Sequence, residues 1–281
     1  HEQGGEQLHI RDLLVVAQNH AILHCDSIVP DLPMTPPLSV PAADGAPTAP
    51  DARTAMGWMH TARFLTTAAQ LHQLPVIDVP EIAFVGRSNA GKSSCINTLT
   101  QQKQLAFASK KPGRTQHINL FSLGRQGITD AVLADLPGYG YAAVSRSDKM
   151  RWQQVMVNYL VSRESLTGIV LLCDPRLGLT ELDEALLEVV RPRVEEGLKF
   201  LVLLTKADKL TRAEQAKALS IARLQTGGGE VRMFSALKKQ GVDEAAQLLW
   251  QWAHPAVAAQ PEAPATDAAS EAAEAEPPAL D

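Results

Sequence analysis

Cysteine, aromatic side chains and long apolar runs are all scarce in this chain of 281 residues. Its 3 cysteines, Cys25, Cys95 and Cys173, do not pair evenly and lack a metal-binding spacing, so they predict reduced thiols rather than a disulfide framework. No apolar run approaches the roughly 18 residues of a membrane-spanning helix. The N-terminus lacks a basic segment followed by an apolar one, which argues against a secretory signal. These absences predict a cytoplasmic protein.

Charge is distributed unevenly along the chain. Residues 1–50 hold six acidic residues against one arginine, and residues 254–281 hold six acidic residues without Lys or Arg. Because the whole chain carries −5, residues 51–253 carry +6. We expect a disordered or weakly structured extension over 1–55, a folded domain over 56–253 and a disordered acidic, Ala/Pro-rich tail over 254–281. A basic domain suits an RNA-facing surface, although ordinary surface charge explains the same count.

One segment dominates the functional interpretation: Gly86-Arg87-Ser88-Asn89-Ala90-Gly91-Lys92-Ser93. It fits the phosphate-binding pattern of Gly, four residues, Gly-Lys and Ser or Thr. The apolar run before it predicts a buried strand, and the residues after it predict a helix, so the context is that of a phosphate-binding loop. Lys92 would then reach the β- and γ-phosphates, and the Ser93 hydroxyl would bind Mg²⁺. A chance glycine-rich turn is the alternative.

Three further segments follow apolar runs in an order that chance rarely supplies: Asp135-Leu136-Pro137-Gly138, Thr205-Lys206-Ala207-Asp208 and Phe234-Ser235-Ala236. Asp135 can hold Mg²⁺ through water, and the Gly138 N–H can sense a γ-phosphate. Asp208 can accept from two guanine N–H groups, a donor pair that adenine lacks. A backbone N–H of the third segment can meet the guanine carbonyl. Taken singly, each segment is better explained as a turn or loop, and their order after a phosphate-binding loop reverses that preference.

Apolar runs alternate with helical patterns between residues 56 and 253. Strands are predicted at 82–86, 118–123, 129–134, 168–173, 199–204 and 230–234. Helices are predicted at 56–72, 92–101, 148–163, 180–194, 211–224 and 241–252. The alternation predicts an α/β fold with a mostly parallel six-stranded sheet and helices on both faces. The short connection at 124–127 predicts one antiparallel strand.

The motifs together resemble the guanine-nucleotide site of translation-factor-like small GTPases. Finer features resemble the EngB family (also YihA or YsxC) of bacterial ribosome-biogenesis GTPases, in the TrmE-Era-EngA-EngB-Septin-like class. These features are Ser94 after the loop, Lys111-Pro112-Gly113-Arg114-Thr115-Gln116, Tyr139-Gly140-Tyr141-Ala142 after Gly138, and Thr205 where many GTPases carry Asn. The resemblance covers roughly residues 57 to 253.

The resemblance implies a Ras-like phosphate-loop G domain with an extra N-terminal helix. It implies a site for GTP or GDP with Mg²⁺ held by Ser93 and Thr115. Lys92, Thr115 and Gly138 are implied as the catalytic residues, with Thr115 in a switch loop that the γ-phosphate orders. A plain loop hydroxyl is the alternative for Thr115. The implied nucleotide-binding set also includes Gly113, Arg114, Gln116 and His117.

Two positions bear on the rate of hydrolysis. Tyr139 stands where many GTPases carry a Gln that orients the attacking water. Because a phenol is a poor substitute, slow intrinsic turnover is predicted. Asn89 corresponds to an Asn that coordinates K⁺ in related bacterial GTPases, although turn geometry also explains an Asn there. Asp174, directly after an apolar run, is predicted to be a turn or capping residue.

The implied partner is a large ribosomal subunit precursor, with its rRNA and ribosomal proteins. Normal cell division and septation are implied to depend on this role. The alternatives are a direct division GTPase with a protein partner, a scaffold without turnover, and an ATPase. Neither DNA nor a membrane is an expected partner, and a monomer is the default. The 8 histidines show no ligand spacing, so Mg²⁺ and K⁺ are the expected ions.

Overall fold

A computed structural model describes residues 50–106, 117–140, 146–227 and 229–255. The strands are β1 (Arg63–Ala68), β2 (Glu81–Gly86), β3 (Ile118–Leu123), β4 (Ala131–Asp135), β5 (Leu166–Cys173), β6 (Lys199–Leu204) and β7 (Glu230–Met233). The helices are α1 (Ala52–Met59), α2 (Lys92–Leu99), α3 (Arg146–Ser162), α4 (Glu181–Glu195), α5 (Arg212–Thr226) and α6 (Val242–Ala253). Short 3₁₀ turns lie at Leu71–Gln73 and Ala207–Lys209.

The strands form one sheet of seven in the order β1-β3-β4-β2-β5-β6-β7. β3 is antiparallel to both of its neighbours, β1 and β4. The pairings from β4 to β7 are parallel. The predicted α/β fold and its antiparallel strand are therefore confirmed. Within the described ranges, no helix is long and apolar enough to cross a membrane.

The sheet has one strand more than predicted, and the error lies in the segment 56–72. A single helix was expected there, but the chain forms α1, turns, and continues as β1. β1 is an edge strand with Phe64 and Leu65 exposed. The sequence of β1 therefore lacks the alternation of buried apolar and exposed polar residues that identifies a strand. Its extended conformation depends on pairing with β3. The predicted extra N-terminal helix is present as α1.

The folded unit begins ahead of the predicted boundary at residue 56. Asp51 caps α1 by accepting from the Thr54 N–H at 2.8 Å. The Gln247 side chain on α6 donates to the Pro50 carbonyl oxygen at 2.8 Å. The extension and acidic tail predicted for the two ends lie mostly outside the described residues and stay predictions.

Capping residues account for other helix boundaries. Thr211 and Glu214 form a capping box at the start of α5, and Gly227 ends that helix with a left-handed φ of 65°. Thr180 and Asp183 form a second capping box at the start of α4.

Two apolar layers enclose the sheet. One packs α3, α4 and α5 against one face, and the other packs α1, α2 and α6 against the opposite face. Cys173 belongs to the first layer and Cys95 to the second. Both are free, buried thiols, and burial raises the pKa of each well above its usual range.

Candidate nucleotide-binding site

The loop between β2 and α2 lies at the carboxyl end of a central parallel strand. Its first glycine, Gly86, approaches β5 so closely that a Cβ would stand 2.6 Å from the Leu172 carbonyl oxygen. Asn89 and Gly91 have left-handed φ angles of 67° and 100°, which favour these residue types. Gly91 is also the N-cap of α2. A glycine-rich loop that ends at a helix N-terminus is a phosphate-binding arrangement.

Lys92 and Asp135 form a buried ion pair at this loop. Lys92 is the first residue of α2 and Asp135 the last of β4, and only 8% and 1% of their surfaces are exposed. Lys92 Nζ donates to Asp135 Oδ1. Asp135 Oδ2 is buried without a hydrogen-bond partner among the described residues. Ser93, half-buried, follows Lys92. A carboxylate oxygen without a hydrogen-bond partner and a serine hydroxyl are both oxygen groups that suit a hydrated Mg²⁺.

The segment after Asp135 is pressed against the loop. The Ser88 Oγ donates to the Gly138 carbonyl oxygen at 3.3 Å, and the Ser88 N–H donates to the Tyr139 carbonyl oxygen at 2.8 Å. A Cβ on Gly138 would stand 3.1 Å from the Ser88 nitrogen, so a larger residue would have to push the loop away by a few tenths of an ångström. Leu136 and Pro137, within this segment, are buried.

The side chain of Tyr139 points into the core. It is 8% exposed, and its hydroxyl donates to Asp183 Oδ1 at 2.5 Å. Burial, and then the Asp183 charge, raise the pKa of Tyr139 well above its usual range. The other oxygen of Asp183 accepts from the N–H and the hydroxyl of Thr180, both at 2.8 Å. The phenol is therefore held as a structural anchor.

Asp208 and Ser235 lie together at the ends of β6 and β7. The Ser235 hydroxyl donates to Asp208 Oδ1 at 2.6 Å, and this bond is the largest influence that lowers the pKa of Asp208. The Ala207 N–H donates to the Phe234 carbonyl oxygen at 3.1 Å. The Ser235 N–H is occupied by the Gln240 carbonyl oxygen. The Ala236 N–H has no partner in the part of the chain that the structure describes.

Thr205 and Lys206 tie the base-binding motif to the phosphate-binding loop. The buried Thr205 Oγ1 lies 2.5 Å from the Ala90 carbonyl oxygen and 3.0 Å from that of Cys173. Lys206 Nζ donates to the Asn89 carbonyl oxygen at 2.8 Å and to Asp174 Oδ2 at 3.0 Å. The motifs at 86–93 and 205–208, far apart in sequence, are therefore joined directly by hydrogen bonds.

Asp174 is a turn residue, as predicted. Its Oδ1 accepts from the Arg176 N–H at 3.2 Å, and its carboxylate forms an ion pair with the Arg176 guanidinium. Hydrogen bonds from Arg176 first, and from Lys206 next, hold the pKa of Asp174 well below its usual range. Sequence reasoning did not anticipate that this turn also anchors Lys206.

Comparison with known proteins identifies the family. Residues 81–206 match the family described as 50S ribosome-binding GTPases. A probable GTP-binding protein EngB of Acidovorax ebreus (strain TPSY) is 91% identical over 200 residues, which cover 71% of this chain and 92% of that protein. The chain belongs to the EngB family. The protein of the same name in Albidiferax ferrireducens (strain ATCC BAA-621 / DSM 15236 / T118) is 81% identical over 202 residues, covering 72% and 98% of the two chains.

A crystal structure of a probable GTP-binding protein engB has the same fold. It aligns with a TM-score of 0.50 at 19% identity and covers 62% of this chain and 98% of that one. Membership in the EngB family makes this chain a GTP-binding protein with a GTPase domain. The resemblance inferred from the motifs is confirmed.

Some predicted site residues stay untested. Gly113, Arg114, Thr115 and Gln116 lie outside the described residues. His117 is exposed, and its ring meets the edge of Trp152 on α3 at a centroid distance of 6.2 Å. Arg87, in the loop, places its Nε 3.2 Å from where a Gly140 Cβ would stand.

The role of Asp183 was missed by the sequence reasoning. The pattern Thr180-x-x-Asp183 matches a capping box and predicts a helix start. That local pattern does not indicate that the same carboxylate accepts a hydrogen bond from the hydroxyl of Tyr139, which lies 44 positions earlier.

Proposed function

We propose that this EngB-family GTPase is a nucleotide-dependent assembly factor for the large ribosomal subunit. The match of residues 81–206 to 50S ribosome-binding GTPases carries the proposal. The net charge of +6 over residues 51–253 supports an RNA-rich partner. In this proposal the protein acts in the cytoplasm as a monomer. Normal cell division and septation then depend on it through the supply of ribosomes.

The phosphate-binding loop and α2 hold the triphosphate in this proposal. Lys92 leaves Asp135 and reaches the β- and γ-phosphates, because these phosphates together carry more negative charge than one carboxylate. Ser93 and Thr115 would hold Mg²⁺ directly, and Asp135 would hold it through water. Bound Mg²⁺ neutralises charge that develops on the phosphates. The Gly138 N–H reports whether a γ-phosphate is present.

Guanine is recognised by Asp208, which Ser235 orients. The carboxylate accepts from the ring N–H and the exocyclic amine, and adenine would leave it unpaired. The Ala236 N–H is available for the guanine carbonyl oxygen. This arrangement disfavours ATP as the substrate.

Hydrolysis is slow in this proposal because no glutamine follows Gly138. The hydroxyl of Tyr139 is bound to Asp183, so the phenol does not orient an attacking water. K⁺ held by Asn89 supplies additional positive charge beside the phosphates. Two observations support this role: the Asn89 side chain is exposed, and its carbonyl is fixed by Lys206.

Co-sedimentation with purified large subunits tests the proposal. The protein is loaded with GDP or with a non-hydrolysable GTP analogue, in K⁺ and in Na⁺ buffers. We expect it to pellet with the subunit in the analogue-bound state, and we expect K⁺ to speed phosphate release. A protein that never pellets with the subunit in either salt, but binds a division protein, would instead be a direct septation GTPase. Phosphate release at background level, with subunits present, would indicate a scaffold.

A further inference from the structure

A cleft of about 390 Å³ lies beside the turn that precedes β4, whereas the nucleotide-binding motifs follow the carboxyl ends of the strands. It is lined by α1, by the turn between β3 and β4, and by the end of α6. Asp130, in its lining, precedes β4. The nucleotide-binding motifs follow the carboxyl ends of the parallel strands, so the cleft is a separate site.

One wall of the cleft consists of aromatic rings in fixed orientations. Trp250 and His254 are stacked, with centroids 4.2 Å apart and planes inclined by 20°. Trp58 meets His254 edge-on at 5.4 Å. The Trp58 indole N–H donates to Asp130 Oδ1 at 2.8 Å, which holds the ring in place. A wall of this kind stacks well with a flat heteroaromatic ring.

A positive charge stands beside this wall. Arg125 is exposed, and its guanidinium has no hydrogen-bond or ion-pair partner among the residues that the structure covers. The guanidinium lies next to Gly57 of α1: a Cβ added at Gly57 would stand 3.3 Å from Arg125 Nη2. Gln126 and Thr54, also in the lining, carry an amide and a hydroxyl that can bond to the edge of a base.

We propose that this cleft binds one unpaired nucleotide of RNA. The base stacks on the Trp250–His254 pair, and the adjacent phosphate pairs with Arg125. The Asp130 carboxylate in the lining accepts from the Trp58 indole N–H and lies 3.6 Å from His254 Nε2. The exposed guanidinium of Arg125 beside the stacked rings therefore favours an anionic aromatic ligand over an apolar peptide side chain. The net charge of +6 over residues 51–253 favours the same polyanion. The inference rests on the proposed ribosomal partner, because it assigns the surface that would touch its RNA.

Binding of short single-stranded RNA tests the cleft directly. Fluorescein-labelled heptamers of a single base are titrated with the full chain in excess GDP and Mg²⁺, so that RNA is kept out of the guanine site, and anisotropy is measured. Arg125→Ala and Trp250→Leu are compared with Arg223→Ala, a matched exposed arginine on α5 at the opposite face. We expect the first two to weaken binding at least about fivefold and the third to leave it unchanged.

The outcomes separate this inference from the proposed function. Arg125 is exposed, so its alanine variant should fold, and thermal melting checks this for both cleft variants. Equal RNA affinity in all variants, or no RNA binding by the unaltered chain, overturns the cleft proposal. If Arg125→Ala still pellets with large subunits like the unaltered chain, the ribosomal function stands and the cleft is not its contact. If the cleft variants lose the subunit but keep heptamer affinity, the cleft takes a protein and the RNA proposal is wrong.

Discussion

In the proposed site, the preference for guanine depends on one carboxylate, that of Asp208. Asp208 accepts a hydrogen bond from the Ser235 hydroxyl at 2.6 Å, and this bond lowers the pKa of Asp208 below the usual value for an aspartate. A lowered pKa means that the carboxylate stays ionised above that value and is protonated only as the pH falls further. Asp208 is therefore an acceptor throughout the physiological range.

Changing Asp208 to Asn should exchange the preferred base. The amide presents a donor where guanine also presents donors, so GTP binding should weaken roughly 100-fold, because unpaired buried donors cost about 1–3 kcal/mol each. Xanthosine triphosphate, with a carbonyl in place of the exocyclic amine, should gain affinity. Competition against a fluorescent nucleotide measures both. Asp243→Asn, on the exposed start of α6, is the control, and an unchanged preference in Asp208→Asn would refute the assignment.

Tyr139→Phe separates a structural role from a catalytic one. Removing the hydroxyl leaves Asp183 Oδ1 without its buried donor, so the free energy of unfolding should fall by about 1–3 kcal/mol in urea titrations. The rate of GTP hydrolysis should change by less than about twofold, since the phenol does not face the nucleotide site. A tenfold drop in kcat with normal folding would show that the phenol takes part in the reaction.

Among the elements, the phosphate-binding loop depends on β6 for its shape. The Thr205 hydroxyl bridges the carbonyl groups of Ala90 in the loop and Cys173 at the end of β5. Many GTPases carry Asn at this position. Here the shorter side chain of Thr205 donates a hydrogen bond to the loop. Thr205, from the motif at 205–208, thus links the phosphate-binding loop to the end of β5, which belongs to none of the nucleotide motifs.

Thr205→Val should therefore weaken nucleotide binding as well as stability. The substitution preserves shape but leaves the Ala90 carbonyl without its donor, so we expect a loss of about 1–3 kcal/mol in unfolding free energy and a several-fold weaker GDP affinity. Thr167→Val on β5 is the matched control, because its hydroxyl donates to the Glu81 carbonyl oxygen at 3.3 Å, away from the loop. Equal GDP affinity in the two variants would contradict this coupling.

Sequence reasoning succeeded for elements with a local signal. The buried central strands are continuous apolar runs, so they were predicted close to their observed bounds. β1 was missed because Phe64 and Leu65 are exposed on an edge strand, and only pairing with β3 gives them their conformation. The contacts of Tyr139 with Asp183 and of Thr205 with Ala90 span 44 and 115 positions. Such long-range contacts have no counterpart in local periodicity.

For the whole molecule, charge divides the chain into a basic centre and acidic ends. Residues 1–50 and 254–281 together reverse the sign of the net charge, from +6 to −5. Acidic segments of this kind compete with RNA phosphate for basic surfaces and repel the RNA itself. The ends therefore oppose the association that the centre favours.

A chain limited to residues 50–255 should bind large subunits more tightly than the full chain. Removing the acidic ends lowers repulsion, and the difference should shrink as salt rises from 50 to about 300 mM because added ions screen it. Sedimentation at several salt concentrations measures the effect. GTP affinity should be unchanged, since the described site lies within these residues. Equal subunit affinity at low salt would show that the ends are electrostatically neutral toward this partner.

Cys95 and Cys173 make the two layers of the fold separately observable. Each thiol is buried, and they lie in the apolar layers on opposite faces of the sheet. An alkylating reagent can reach each thiol only when its own layer opens. In a Cys25→Ala chain, the two alkylation rates therefore measure the opening of the two layers independently. Cys95 follows the phosphate-binding loop within α2, whereas Cys173 ends β5. If a bound nucleotide slows the alkylation of Cys95 and Cys173 by the same factor, it stabilises the molecule as one cooperative unit. If it slows only the alkylation of Cys95, it stabilises a single layer.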